Sequence, residues 1–117
     1  MEEALAKQTA HYRELIKEII QFYAQRKPSV GDIETEVIFD ESNDHYELIH
    51  SGWSHIYRVH GAVIHIDIRN GKIVIQHDGT PDAIAEILVE RGVPHHDIVL
   101  AFKPPEIRPD TGFAVKA

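Results

Sequence analysis

His65-x-Asp67 places an imidazole and a carboxylate on the same side of an extended chain, because strand side chains alternate between faces. Such a pair could begin a metal site or serve as an acid–base couple. No third ligand stands at short range, and no helical histidine spacing of the His-Glu-x-x-His kind occurs. The plainer reading of His65 and Asp67 is the polar outer face of a sheet. His95 and His96 read as loop residues ahead of a strand, and His11 as the exposed flank of a helix. His45, His50, His55, His60 and His77 are scattered and define no constellation. We therefore expect no catalytic residue, no metal ligand and no cofactor.

Other groups invite a chemical reading less strongly. Asp78-Gly79-Thr80-Pro81 ahead of a helix could offer backbone N–H groups to an anion, but Asp78 opposes that, and no glycine-rich loop with lysine follows. Thr80 reads as an N-cap, with Pro81 at the first helical position. Ser51 and Ser54 lack a nucleophile-elbow context. Glu34, Glu36 and Asp40 share one side of a strand without a lysine at nuclease-like spacing, so they read as a solvated face or a surface for a cationic partner. Trp53 is the single tryptophan. A core position is its default reading and an interface anchor the alternative, with Arg58, Arg69 and Arg108 as polar companions.

The charge balance narrows the function further. The 117 residues carry 12 Lys and Arg against 19 Asp and Glu, a net charge of −7, and protonating all nine histidines would take it to +2. The acidic balance argues against phosphate-driven nucleic-acid binding, which needs clustered Lys and Arg. With no cysteine there is no disulfide, thiolate metal site or cysteine nucleophile. No apolar run approaches the roughly 20 residues that span a bilayer. Met1-Glu2-Glu3 is unlike a signal peptide. The expected location is the cytoplasm, and the expected organisation is one domain over residues 1–117.

These residues must be positioned by a few elements. Leu5, Tyr12, Leu15, Ile16, Ile19, Phe22 and Tyr23 recur at helical steps, which predicts a helix from about Glu3 to Arg26, stopped by Pro28. Val30-Gly31-Asp32 signals a turn. Ile33, Thr35, Val37 and Phe39 then alternate with acidic residues as a half-buried strand. After the loop Glu41-Ser42-Asn43-Asp44, His45 to Ser51 reads as the returning strand, with Tyr46 and Leu48 on one face and Gly52 allowing a bend.

The strongest signal is Asn70-Gly71 between two alternating runs, the preferred two-residue hairpin turn. It predicts Arg69 opposite Lys72, Ile68 opposite Ile73, Asp67 opposite Val74, Ile66 opposite Ile75 and His65 opposite Gln76. One face is then Ile64, Ile66, Ile68, Ile73 and Ile75. The other carries His65, Asp67, Arg69, Lys72, Val74 and Gln76, with Asp67 softening the Arg69–Lys72 repulsion. Gly61 is the expected bulge. A helix with a buried stripe of Ile84, Ile87 and Leu88 runs to about Arg91 and stops at Gly92. Ile98 to Phe102 is a short strand, and Gly112 to Val115 a final one. The fold class is α+β: an antiparallel meander of four or more strands, with the N-terminal helix and a second helix packed on one face.

Ten short motifs occur in order. They are Lys27-Pro28-Ser29-x-Gly31-Asp32-Ile33-Glu34, Phe39-Asp40, Asp44-His45-Tyr46, Gly52-Trp53, Val63-Ile64-His65-Ile66-Asp67-Ile68, Gly71-Lys72-Ile73-Val74-Ile75-Gln76, Asp78-Gly79-Thr80, Gly92-Val93-Pro94, Asp97-Ile98-Val99-Leu100 and Thr111-Gly112-Phe113-Ala114-Val115. Together they resemble the XisI family, the fdxN element excision controlling factors found mainly in cyanobacteria. The resemblance runs from about His11 to Ala117. It departs at Val74, where the family often has tryptophan, and at Ala101 and Lys103, where glycine and histidine are common.

The resemblance implies a regulatory factor acting with an XisH-like protein and a site-specific recombinase in excising a DNA element that interrupts a nitrogen-fixation operon of differentiating cells. An antitoxin-like or other XisH-linked role is also open. It carries over no catalytic residue. Joined to the acidic charge, it leads us to expect a non-enzymatic protein that works mainly through protein contacts and neither enters membranes nor binds DNA tightly alone. Trp53, Arg58, Asp67 and Arg108 are the expected interface residues. A homodimer covering an open sheet edge is a further expectation. The competing readings are a metal-dependent hydrolase using His65 and Asp67, and a nucleic-acid-binding module using Arg58, Arg69 and Lys72.

Overall fold

The computed structural model describes residues 2–26 and 31–117. The expected helix stop at Pro28 and part of the Val30-Gly31-Asp32 turn lie outside them. Helix α1 spans Glu2–Ala24 and buries Tyr12, Leu15, Ile16, Ile19, Ile20 and Tyr23, the three- and four-residue steps of one helical face. Two members of the expected stripe are exposed. Phe22 sits about a quarter turn off the buried face, with its ring edge-on to Tyr23. Leu5 overshoots the core and lies over the Gly71 turn.

Five strands follow: β1 (Asp32–Asp40), β2 (His45–Ser54), β3 (Tyr57–Arg69), β4 (Lys72–Asp78) and β5 (Ile98–Leu100), with helix α2 (Ile84–Glu90) between the last two. They make one sheet in the order β1-β2-β3-β4-β5. The first four form the expected meander. The crossover through α2 makes β5 parallel to β4, as such a connection requires.

Asn70 and Gly71 both have positive φ, and the hairpin register follows the expected one from Arg69↔Lys72 to Ile66↔Ile75. Beyond that point the structure departs from the sequence reading. A bulge puts His65 opposite His77, so Gln76 is the extra residue. A second irregularity lies between β2 and β3: Leu48 pairs with Ile64 and Ile49 with Ala62, which makes Val63 the extra residue rather than Gly61. A bulge re-aims the side chains beyond it. The odd-numbered residues of β3 share the outer face in the core half, whereas the even-numbered residues do so in the other half.

The expected bend at Gly52 does not occur. β2 continues to Ser54, and Gly52 lies opposite Ile33 on one side and Val59 on the other. A Cβ there would stand 2.0 Å from the Asp32 carbonyl oxygen and 2.8 Å from Ile33 Cα. Glycine therefore serves close backbone approach here, not a turn. The half of β2 and β3 beyond the bulge, flanked by β1, forms an arm that ends at His55 and Ile56, and the molecule measures 52 × 31 × 24 Å.

Both helices pack on the isoleucine face. Ile64, Ile66, Ile68, Ile73 and Ile75 join Tyr46, Leu48, Ile84, Leu88, Ile98 and the α1 stripe in one core. Each such isoleucine contributes roughly 2–3 kcal/mol by leaving water. Val37 shares this face but stays exposed on the edge strand.

The second helix is not capped by Thr80. It starts at Ile84, and Ala83 at the cap position supplies no side-chain bond. Asp78 does this work from the end of β4. Its Oδ1 accepts from the Thr80 N–H and hydroxyl at 2.9 and 2.7 Å, and its Oδ2 accepts from the Ile84 N–H at 2.8 Å. Aspartate reaches both because the 80–83 segment folds back over it. Asp78→Ala should therefore cost about 1–2 kcal/mol, read as a lower urea midpoint at unchanged slope. After the helix, Gly92 has positive φ and the Val93 N–H closes onto the Leu88 carbonyl at 3.0 Å, the expected glycine stop.

His95 and His96 belong to a short 3-10 helix, His95–Asp97. The expected 98–102 strand shortens to Ile98–Leu100. The expected final strand is a single bridge, Val99↔Ala114. Arg108 organises this tail, donating to the carbonyls of Lys103, Ala101 and Val115 at 2.9, 3.2 and 3.3 Å.

Candidate functional site

Asp67 was expected on a solvated sheet face, yet its side chain is 1% exposed. Its own strand supplies two donors, His65 and Arg69, and the neighbouring strands supply two more, His45 from β2 and Gln76 from β4. Oδ1 accepts from His45 Nδ1 at 2.7 Å and His65 Nε2 at 2.8 Å. Oδ2 accepts from Gln76 Nε2 at 3.1 Å and Arg69 Nη2 at 3.2 Å. His45 arrives because it is directly opposite Asp67 in the β2–β3 register. Gln76 arrives from the same outer face of β4, two residues beyond Val74, which is the residue opposite Asp67. The expected Asp67–Lys72 proximity gives way to Arg69, and Lys72 donates instead to the Lys116 carbonyl.

A buried carboxylate must be satisfied or it titrates away. Burial pushes the Asp67 pKa up, but the hydrogen bonds from His45 and Gln76, with the charge and hydrogen bond of His65, more than offset it and hold it below the ordinary carboxylate value. His45 is correspondingly raised, chiefly by its bond to Asp67 and by that residue's charge. Among the described residues no buried side-chain nitrogen or oxygen lacks a partner. His65 also has Nδ1 3.6 Å from Glu47 Oε1. The imidazoles remain partly open, with side-chain exposures of 44% for His45 and 30% for His65. This cluster corrects the reading of His45 as one of several scattered histidines. Its missing signal was the β2–β3 register, which depends on the bulge at Val63.

Further along the same outer face, the arm presents a different surface. Asp32, Trp53 and Arg58 stand in one row across β1, β2 and β3. Trp53 is not a core residue; it is 51% exposed, and Ile56 and Tyr57 at the tip reach 84% and 71%. The Arg58 guanidinium lies 5.4 Å from the Trp53 ring centroid and donates to the Gly52 carbonyl and Ser51 Oγ, each at 3.3 Å. The ring is thereby oriented while one face stays open. Two shallow concavities of about 450 and 520 Å³ flank Trp53, lined by Gly31, Asp32, Ser54 and His55 and by Asp32, Ile33, Glu34, Ser51, Gly52 and Arg58. The bulge at Val63 makes this pairing, since without it Arg58 would face the other side.

Of the four expected interface residues, the structure brings Trp53 and Arg58 together. Asp67 is buried in the histidine cluster, and Arg108 is engaged with three tail carbonyls. The basic residues of the nucleic-acid alternative are also separated. Arg58 and Arg69 stand near opposite ends of β3, about 36 Å apart along an extended strand, and Arg69 is bound to Asp67.

The sequence profile described as XisI protein matches residues 6–115. The fold is similar to the crystal structure of a XisI-like protein from Anabaena variabilis ATCC 29413, with a TM-score of 0.86 and 38% identity over 92% of this chain and 99% of that one. It is also similar to the crystal structure of the fdxN element excision controlling factor XisI from the same organism, with a TM-score of 0.81 and 34% identity over 93% of this chain and 99% of that one. No curated protein matches the chain.

Proposed function

Because this chain belongs to the XisI family, we propose that it is a non-enzymatic excision controlling factor that acts through protein contacts, with an XisH-like protein as first partner and a site-specific recombinase as the enzyme it serves. The observation that carries this reading is the arm. A half-exposed tryptophan with an arginine over its ring, beside exposed Ile56 and Tyr57, has the composition of an interface hot spot. The net charge of −7 favours a protein partner over a phosphate backbone.

A fluorescence anisotropy titration of this chain alone against duplex DNA of the element's borders tests the reading at about 150 mM salt, where counterion competition is already strong. The expected result is no sequence-specific binding up to tens of micromolar. Tight, sequence-selective binding by the chain alone would overturn it.

A further inference from the structure

We propose that His45, His65 and Asp67 form a binding site for a zinc-class divalent transition metal on the outer face of β2 and β3. One ligand atom from each of His45, His65 and Asp67 lies within 4.8 Å of the other two. Metal–ligand bonds of about 2.0–2.2 Å in tetrahedral array need ligand atoms about 3.3 Å apart. The Asp67 oxygen now stands 2.7 and 2.8 Å from His45 Nδ1 and His65 Nε2, so an ion between them opens each of these separations by about half an ångström. Two imidazoles and one carboxylate suit zinc, cobalt or nickel and not the oxygen-seeking magnesium or calcium.

The surroundings support the same reading. Metal-bound histidines donate their second ring N–H to a fixed acceptor, and ligating carboxylates are themselves hydrogen-bonded. When His65 Nε2 ligates, its proton must sit on Nδ1, and that atom faces Glu47 Oε1 at 3.6 Å. Asp67 uses only Oδ1 toward the histidines, while Gln76 and Arg69 hold Oδ2. Asp40 is the residue opposite His45 on β1 and adds negative charge nearby. The partial exposure of both imidazoles leaves a fourth position for water. The site clips β2 to β3 in the core half of the sheet, at the end of their ladder away from the arm tip, and it requires nothing of the partner reading above.

Chelator-treated, dialysed protein titrated with Zn2+ in a calorimeter, and with Co2+ by visible absorption, tests this. The expected result is one ion per chain and a four-coordinate Co2+ spectrum. His45→Ala and His65→Ala should each weaken binding by more than tenfold and Glu47→Gln by about tenfold, the range for ligand-supporting groups, while His60→Ala has no effect. Far-UV circular dichroism confirms that each variant is folded. Binding well below one equivalent, or binding that survives both His45→Ala and His65→Ala, or that His60→Ala weakens equally, would overturn the proposal.

Discussion

Asp67→Ala is expected to lower stability by about 3 kcal/mol, the low end for removing one member of a buried charged network, and the melting midpoint by roughly 10 °C for a chain of this size. The substitution takes one acceptor from four donors at once: His45, His65, Gln76 and Arg69. Both histidines and Arg69 reach the surface, so water can rescue them in part, which sets the effect near the low end. Asp67→Asn keeps the shape and one carbonyl acceptor but turns an amide N–H toward the donors, so it should fall between wild type and alanine. The far-UV circular dichroism signal should be followed, because Trp53 lies on the arm and reports poorly on the core. A loss under about 1 kcal/mol for Asp67→Ala would mean that the network is dispensable.

Trp53→Ala is expected to weaken binding of an XisH-like partner by at least about 30-fold, the 2 kcal/mol typical of a hot-spot residue, with little change in stability. The two effects separate because Trp53 packs against Arg58 and open solvent, and an exposed cation–π contact contributes only about 0.5–1 kcal/mol to folding. Arg108→Ala supplies the contrast. It removes three carbonyl contacts of the tail, so it should lower stability and leave partner affinity nearly intact. Titration calorimetry on the three proteins checks this. Equal affinity for wild type and Trp53→Ala would take the arm out of the interface.

The hairpin at Asn70-Gly71, the isoleucine face and both helices are legible in the sequence because each rests on local rules: a turn needing two positive φ angles, strict alternation, and helical spacing. Two of the places where the reading and the structure part are bulges. One extra residue at Val63 or Gln76 leaves no mark in a pattern of apolar and polar residues, yet it decides which side chains meet. The Gln76 bulge sets His65 opposite His77, and the Val63 bulge turns Arg58 to Trp53. His45 joins Asp67 through pairing with a residue 22 positions away, which no local spacing reveals. Gly52 shows the same limit: its need for close backbone approach comes from β1 and is invisible in β2 alone. Thr80 carried the usual cap signature, and Asp78 displaced it because the chain folds back over the end of β4.

The most direct test of the central claim is size-exclusion chromatography of this chain mixed with an XisH-like protein from the same genome, at micromolar concentrations and about 150 mM salt. The account predicts a complex that elutes earlier than either protein and contains both. Separate elution of the two at every ratio would contradict it.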